Sequence, residues 1–585
     1  MQTLHNPILK ALALTIKDAM DQLLKDHNMD TEFIYTQIGE PPNLKMGHFA
    51  FPCFPLAKIM KNSPNRISIE LAEKIQATGI IKEARPVGPY LNFFINLPDS
   101  CKIIVPSILS GDFFKQKILS KNKKLLVEYS QPNTHKELHV GHMRNVCLGT
   151  SIIKLNRYGG NEVIAANYIG DVGTHVAKCL WFLKYYNKEN APKTDKGSWI
   201  GKMYTEATRK LEKIKGTPEE ETAKNQITDI LKQLEAKSGE FYELWQQTRK
   251  WSLDLFQDAY KWADAPFDKY YYESDVDSSS LELARELYKK GFYVESEGAI
   301  GMDLSKEKLG FAIMIKSDGT GMYATKDIKL AKEKFEEFNP DISYYIVDKR
   351  QEFHFKQVFK VLEKIGFQQA KNCHHLQYDF VELPDGAMSS RNGNIVPLSS
   401  LIKQMESTIK TQFLNRYKDD WSIGEINSTA HIIAGGAIKY GMLRMDSQRK
   451  IVFDMNEWLK LDGETGPYLQ YVHARIHSMC EKFSFDSGAN IDWTALTMPQ
   501  EEAVFLKLIQ FNSIIQTSIE SHKTSNLCSY LYELGKLFNN FYAACPIGKA
   551  PDEKLKLARL ALSKSVAIIM KQGMALLGIT SPSRM

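Results

Sequence analysis

Apolar residues recur at helical spacing through residues 1–24, interrupted by Lys10, Lys17, Asp18 and Asp21, which predicts an opening amphipathic helix. A turn is expected at 39–42, a second helical stretch at 67–75, and a strand at 87–95, where apolar and polar positions alternate. The lysine-rich stretch 115–124 reads as a boundary. Beyond it the period changes. Residues 124–130 form an apolar run, a loop follows, a helical pattern covers 140–158, Gly159 and Gly160 end it, and 161–167 is apolar again. Strand, crossover helix and strand make a βαβ unit, so a parallel sheet is expected. Two more strand-like runs, 311–315 and 342–347, flank a helical pattern at 325–338 and are expected to extend that sheet. Residues 188–265 read as a charged helical insertion, an α-hairpin in which Thr217 caps a helix opening on Pro218, Glu219 and Glu220. From 398 onward helical periodicity dominates, which predicts a helical bundle. The pattern therefore divides the chain into 1–118, 119–405 and 406–585.

Length supports several cores rather than one, since 585 residues exceed what a single domain usually holds. With 43% hydrophobic and 25% charged residues and a mean hydropathy of −0.33, the composition excludes a disordered, collagenous or membrane-embedded chain. The eight cysteines show no C-x-x-C spacing and read as reduced thiols. The charged residues of the first helix defeat a signal peptide, and a cytoplasmic location is expected. Net charge is only +6, but from residue 541 onward seven basic residues face two acidic ones, which points to an anionic partner near the C-terminus.

The chemistry concentrates in two loops. Residues 128–142 read Glu-Tyr-Ser-Gln-Pro-Asn-Thr-His-Lys-Glu-Leu-His-Val-Gly-His and end at the start of the crossover helix. A helix N-terminus offers unpaired amides and a positive dipole to a phosphate. His139 and His142 add imidazole donors, which we expect to be solvent-exposed, and Gly141 lets a nucleotide approach the backbone. A metal pair or an ordinary surface pair is the alternative. Residues 386–394, Gly-Ala-Met-Ser-Ser-Arg-Asn-Gly-Asn, form a second polar loop in which Ser389, Ser390 and Arg391 suit a triphosphate.

The two loops together resemble the paired signatures of class I aminoacyl-tRNA synthetases, and the second resembles the lysine-poor form of the arginyl-tRNA synthetases. The segments 46–50 (Met-Gly-His-Phe-Ala) and 88–94 (Gly-Pro-Tyr-Leu-Asn-Phe-Phe) are similar to that family's N-terminal domain. Residues 167–173 match its N-x-x-G-D-x-G segment, and 464–475 resemble its anticodon-binding domain. The resemblance implies a multidomain α/β chain: a Rossmann-type parallel-sheet catalytic domain with a helical insertion, an α+β N-terminal tRNA-binding domain, and an all-α C-terminal bundle. It also implies a ligase that makes arginyl-adenylate from ATP and arginine, then transfers the arginyl group to the 2'-hydroxyl of the terminal ribose of tRNA(Arg). Mg2+ is expected to come with ATP, without a dedicated protein metal site, and arginine activation is expected to depend on bound tRNA. A monomer is expected, with no membrane partner.

By the resemblance, Lys136, His139, Gly141, His142, Met388, Ser389, Ser390 and Arg391 serve ATP. Glu128, Ser130, Asn133, Tyr323, Asp327 and Gln351 serve the amino acid. Chemistry agrees, because a guanidinium has five donors and no acceptor and so calls for carboxylates and an accepting hydroxyl. Asp327 has an alternative role as a first-turn acid of the helix at 325–338. Ala387 stands where the general class I pattern carries a lysine, so Lys136 is the candidate replacement cation. Tyr468, Tyr471 and Arg475, one helix face, and the terminal Met585 are candidate tRNA contacts, with core packing as the alternative for the tyrosines. A small-molecule nucleotidylyltransferase and a non-catalytic tRNA-binding regulator are the competing functions.

Overall fold

The computed structural model describes residues 6–24, 29–384, 386–387 and 397–585, which pack into two compact units. The first takes its residues from 1–122, 158–160 and 460–585, the second from 123–157 and 161–459.

In the first unit the opening helix spans Pro7–Leu23, and the Asn6 side chain accepts hydrogen bonds from the amides of Ile8 and Leu9. It buries Ile8, Leu12, Ile16 and Met20, one stripe at three- to four-residue spacing. Asn6 Nδ2 donates to the Ile509 carbonyl at 3.0 Å, across 503 positions of chain. The second expected helix runs Pro64–Lys74, earlier than its apolar pattern, because Ser63 caps it and Pro64 fits its first turn. The single strand expected at 87–95 is instead a hairpin, Ile81–Val87 and Tyr90–Ile95, turning at Gly88 with φ +56°. The Gly-Pro turn signal outweighs the alternation that continues across it. Helix Leu97–Ser110 packs against Pro499–Ile509 and Glu553–Leu576, and the buried pair Glu501–Arg559 (2.7 Å) joins the latter two. Gln470 and His473 donate to the carbonyls of Thr580 and Pro582, at 2.8 and 3.0 Å, and hold the C-terminal tail on helix Gly466–Lys482.

The second unit is built on a parallel sheet of five strands: β1 (Lys124–Glu128), β2 (Glu162–Ile169), β3 (Lys269–Tyr272), β4 (Ile342–Asp348) and β5 (Cys373–Tyr378). Their spatial order is β5-β4-β1-β2-β3, the doubly wound Rossmann-type arrangement. Strands covered on both faces read as unbroken apolar runs, which is why β1 and β2 stand out in the sequence. Helix α1 (Val140–Gly159) crosses from β1 to β2, and β4 lies on the other side of β1. The C-terminal ends of β1 and β4 therefore flank the switch-point crevice, where ligands bind in such sheets.

Three expectations change here. Residues Phe311–Ile315 do not extend the main sheet; they join Val294–Ser296 and Ala299–Asp303 in a separate antiparallel sheet. The insertion is three helices rather than a hairpin: Lys196–Ile214, Pro218–Glu235 and α2 (Glu240–Ala263). Pro218 does open its helix, but the Thr217 hydroxyl donates back to the Ile214 carbonyl at 2.6 Å instead of capping. No helix of the described residues is long and apolar enough to cross a membrane.

Helix α1 lies close on the chain leaving β1. A Cβ on Gly149 would sit 2.1 Å from the Tyr129 ring, whereas one on Gly435, in helix Ile423–Leu443, would meet nothing within 4 Å. Gly149→Ala is therefore expected to destabilise by about 1–3 kcal/mol through overpacking. Gly435→Ala should be neutral or stabilising by up to about 1 kcal/mol. Thermal unfolding of the two variants checks both signs.

Candidate active site

The loop after β1 holds three non-glycine residues in the left-handed region, Ser130 (φ 77°), Gln131 (φ 42°) and His135 (φ 62°). Such residues persist where surrounding bonds over-determine them. The Ser130 amide donates to Asn145 Oδ1 at 2.7 Å, the Gln131 amide to Asn167 Oδ1 at 3.2 Å, and the His135 amide to Ser252 Oγ at 2.9 Å. Ser130 Oγ also meets Tyr260 Oη at 2.8 Å. The buried His135 ring bonds Thr134 and Thr248, and burial pushes its pKa down to about 3, so it is a neutral strut. Exposed Asn133 bridges Gly170, where a Cβ would lie 2.3 Å from Asn133 Oδ1. A side chain at Gly170 would push the Asn133 amide from this position.

His139 and His142 open α1 with ring centroids 3.8 Å apart. The His139 amide donates to His142 Nδ1, and the Gly141 amide to His139 Nδ1, both at 3.1 Å. Burial pushes His139 down to about 4, and it pushes His142 well below its ordinary value with help from His139 and Lys136. The rings are therefore half-buried rather than exposed as expected, and neutral. With Nδ1 accepting, each carries its proton on Nε2, and neither Nε2 has a partner among the described residues. Two preset N–H donors stand at a helix start.

Lys136 lies 5.1 Å over the Tyr204 ring, and burial lowers its pKa. Its charge also depresses His142 and His175, which places it beside the pair. Met388, Ser389, Ser390 and Arg391 lie outside the described residues. The described chain resumes at Pro397, bridged to His139, and the Leu398 amide donates to the Leu138 carbonyl at 2.9 Å. Buried Arg144, unassigned by the sequence reading, donates to the carbonyls of Asp379 (2.6 Å), Phe380 (3.4 Å), Asp446 (3.2 Å) and Ser447 (3.0 Å).

At the end of β2, burial and the negative field of Asp327, Glu273, Glu128 and Asp171, in that order, push the Tyr168 phenol well up. Three of these carboxylates are matched by strong cations: Glu128 by the buried Lys334, Glu273 by Lys326 at 2.6 Å, and Asp171 by Arg249 at 2.6 Å. Asp327 is matched by His354, Nε2 to Oδ2 2.6 Å. Helix α3 begins at Tyr323 (Tyr323–Phe338), so Asp327 lies beyond its first turn, and the helix-dipole alternative falls. Tyr323 is 71% exposed, and Gln351, also exposed, precedes helix α4 (Glu352–Lys364). Glu128, assigned to the amino acid, is already spent on Lys334. Besides Arg144, sequence reasoning missed Tyr168, Asn145 and His354; the clue was position, at the end of β2, three residues past His142, and three past Gln351.

In the first unit Tyr468 is buried and its hydroxyl accepts from Asn539 Nδ2 at 3.0 Å, so packing accounts for it. Tyr471, Arg475 and Met585 are partly exposed, and Arg475 lies 4.2 Å over Tyr542.

Three family models match in succession: the arginyl tRNA synthetase N terminal domain at 10–95, the catalytic domain of tRNA synthetases class I (R) at 104–455, and the DALR anticodon binding domain at 469–585. The chain belongs to the arginyl-tRNA synthetases. It is 48% identical to the arginine–tRNA ligase of Bdellovibrio bacteriovorus over 581 residues, covering 99% of this chain and all of the relative. The arginine–tRNA ligase of Clostridium acetobutylicum is 34% identical over 96% of this chain and 98% of its own. The Thermus thermophilus arginyl-tRNA synthetase structure superposes with a TM-score of 0.78 at 26% identity, covering 98% and 99% of the two chains. This is a class I ligase that uses ATP to join arginine to tRNA(Arg), and the nucleotidylyltransferase and regulator readings are set aside.

The depressed histidines set the acid stability. His135, His139 and His175 have folded values of about 3, 4 and 3, below the unfolded value near 6.5. Below about pH 6.5 the unfolded chain binds more protons than the folded one, so stability falls as pH drops toward 4. The urea midpoint should be lower at pH 5 than at pH 7; an unchanged or higher midpoint would show these rings protonated in the fold.

Proposed function

We propose that arginyl-adenylate forms at the switch-point crevice, and the observation that carries this is the pair of neutral, Nε2-protonated imidazoles at the start of α1 beside Lys136. A carboxylate oxygen of arginine attacks the α-phosphorus of ATP and pyrophosphate leaves; the 2'-hydroxyl of the tRNA terminus then attacks the carbonyl and AMP leaves. His139 and His142 donate to phosphate oxygens as charge builds there, without the desolvation cost of buried imidazolium ions. Gly141 leaves the backbone open, and Lys136, with Arg391, supplies positive charge in place of the lysine absent at Ala387. Met388, Ser389 and Ser390 complete the phosphate loop. Asp327 and Tyr323 take the guanidinium, with Ser130, Asn133 and Gln351 on the rest of arginine and Glu128 acting through Lys334.

Mg2+ comes with ATP, held by the phosphate oxygens that are its preferred ligands. We further propose that residues 1–118 and the C-terminal helices receive the tRNA, with Tyr471, Arg475 and Met585 among the contacts, and that the enzyme acts as a cytoplasmic monomer. The DALR match at 469–585 and the basic C-terminal stretch support the tRNA assignment.

His142→Ala should slow arginine-dependent pyrophosphate exchange roughly 10²- to 10³-fold, the usual loss for one transition-state donor. Lys136→Ala should slow the same step while leaving tRNA affinity, read by filter binding, nearly unchanged; full exchange activity in that variant removes Lys136 from the mechanism. Pyrophosphate exchange without tRNA should be weak and should rise when tRNA is added, as expected if tRNA completes the site. Robust exchange without tRNA refutes that dependence.

A further inference from the structure

Arginine must bring its guanidinium to a carboxylate that is not already neutralised. Of the four carboxylates around Tyr168, Glu128, Glu273 and Asp171 each face a lysine or arginine. Asp327 alone of the four faces an imidazole, that of His354 on α4, across 2.6 Å. Both side chains keep solvent access, 21% for Asp327 and 26% for His354, so a ligand can reach the pair.

We propose that His354 is a positioning residue for arginine recognition: its Nε2–H fixes one oxygen of Asp327 and leaves the carboxylate's charge to the incoming guanidinium. This rests on the reading that Asp327 receives that guanidinium. The imidazole orients Asp327, whereas a lysine or arginine in its place would hold the carboxylate as an ion pair. On β5, His375 bonds the Val347 carbonyl at 2.9 Å; at the end of β4, Asp348 holds Arg350 at 2.9 Å; on α4 itself, Glu352 holds Lys356 at 2.6 Å. Asp327 is the group on α3 that faces the ring.

The test is the arginine and ATP KM in aminoacylation. His354→Ala should raise the arginine KM roughly tenfold, the loss of one hydrogen bond to a charged group, while the ATP KM stays level. His354→Gln, a neutral donor of similar reach, should recover most of that loss. A His354→Gln variant as impaired as His354→Ala overturns the proposal. So does a His354→Ala variant that loses thermal stability with no change in arginine KM, or one whose arginine and ATP KM rise together. Asp327→Asn separates the underlying reading: an unchanged arginine KM in that variant removes Asp327 from the pocket, whereas a raised one with failed His354 predictions refutes the positioning role alone.

Discussion

Asn145 is the group through which helix α1, the loop after β1 and the ends of β4 and β5 share one set of hydrogen bonds. Its Oδ1 accepts from the Ser130 amide, and its Nδ2 reaches Gln131 Oε1 (3.1 Å), the Ile346 carbonyl (2.9 Å) and Tyr378 Oη (3.3 Å). A buried amide satisfied on both ends is rigid, because every alternative rotamer leaves polar atoms unpaired. The left-handed residues 130 and 131 depend on that rigidity, and so does the place at which the loop delivers Lys136 and His139.

The two sides of the crevice handle charge in opposite ways. At the start of α1 the imidazoles are kept neutral by burial, with Lys136 adding charge beside them. Around Tyr168 negative charge is collected but balanced residue by residue, which spares the fold several unpaired buried carboxylates.

Much of this was legible in the sequence, for identifiable reasons. The strands β1, β2 and β4 and helix α1 follow from apolar runs and periodicity, and the loop ending at His142 follows from its position after a strand. The failures are local. Strand propensity at Phe311–Ile315 carries no information on which sheet it joins. The hairpin at Gly88 was hidden by alternation on both sides of the turn. Residue type cannot show that Glu128 is consumed by Lys334, since that pair spans 206 positions, nor that Tyr468 faces a core rather than a nucleotide. Asn145 and His354 were missed because an asparagine inside a helix and a histidine on an amphipathic one look ordinary until their partners are known.

The hydrogen bond from Asn6 to Ile509 and the packing of Leu97–Ser110 on Glu553–Leu576 have a consequence for biosynthesis. The first unit draws its core from residues 1–122 and 460–585, so the earlier part leaves the ribosome long before the helices that cover it have been made. The second unit, almost continuous between residues 123 and 459, can close while translation proceeds. Apolar faces of the opening helix and of Leu97–Ser110 must wait through several hundred further residues of elongation, open to off-pathway association until their partners are made.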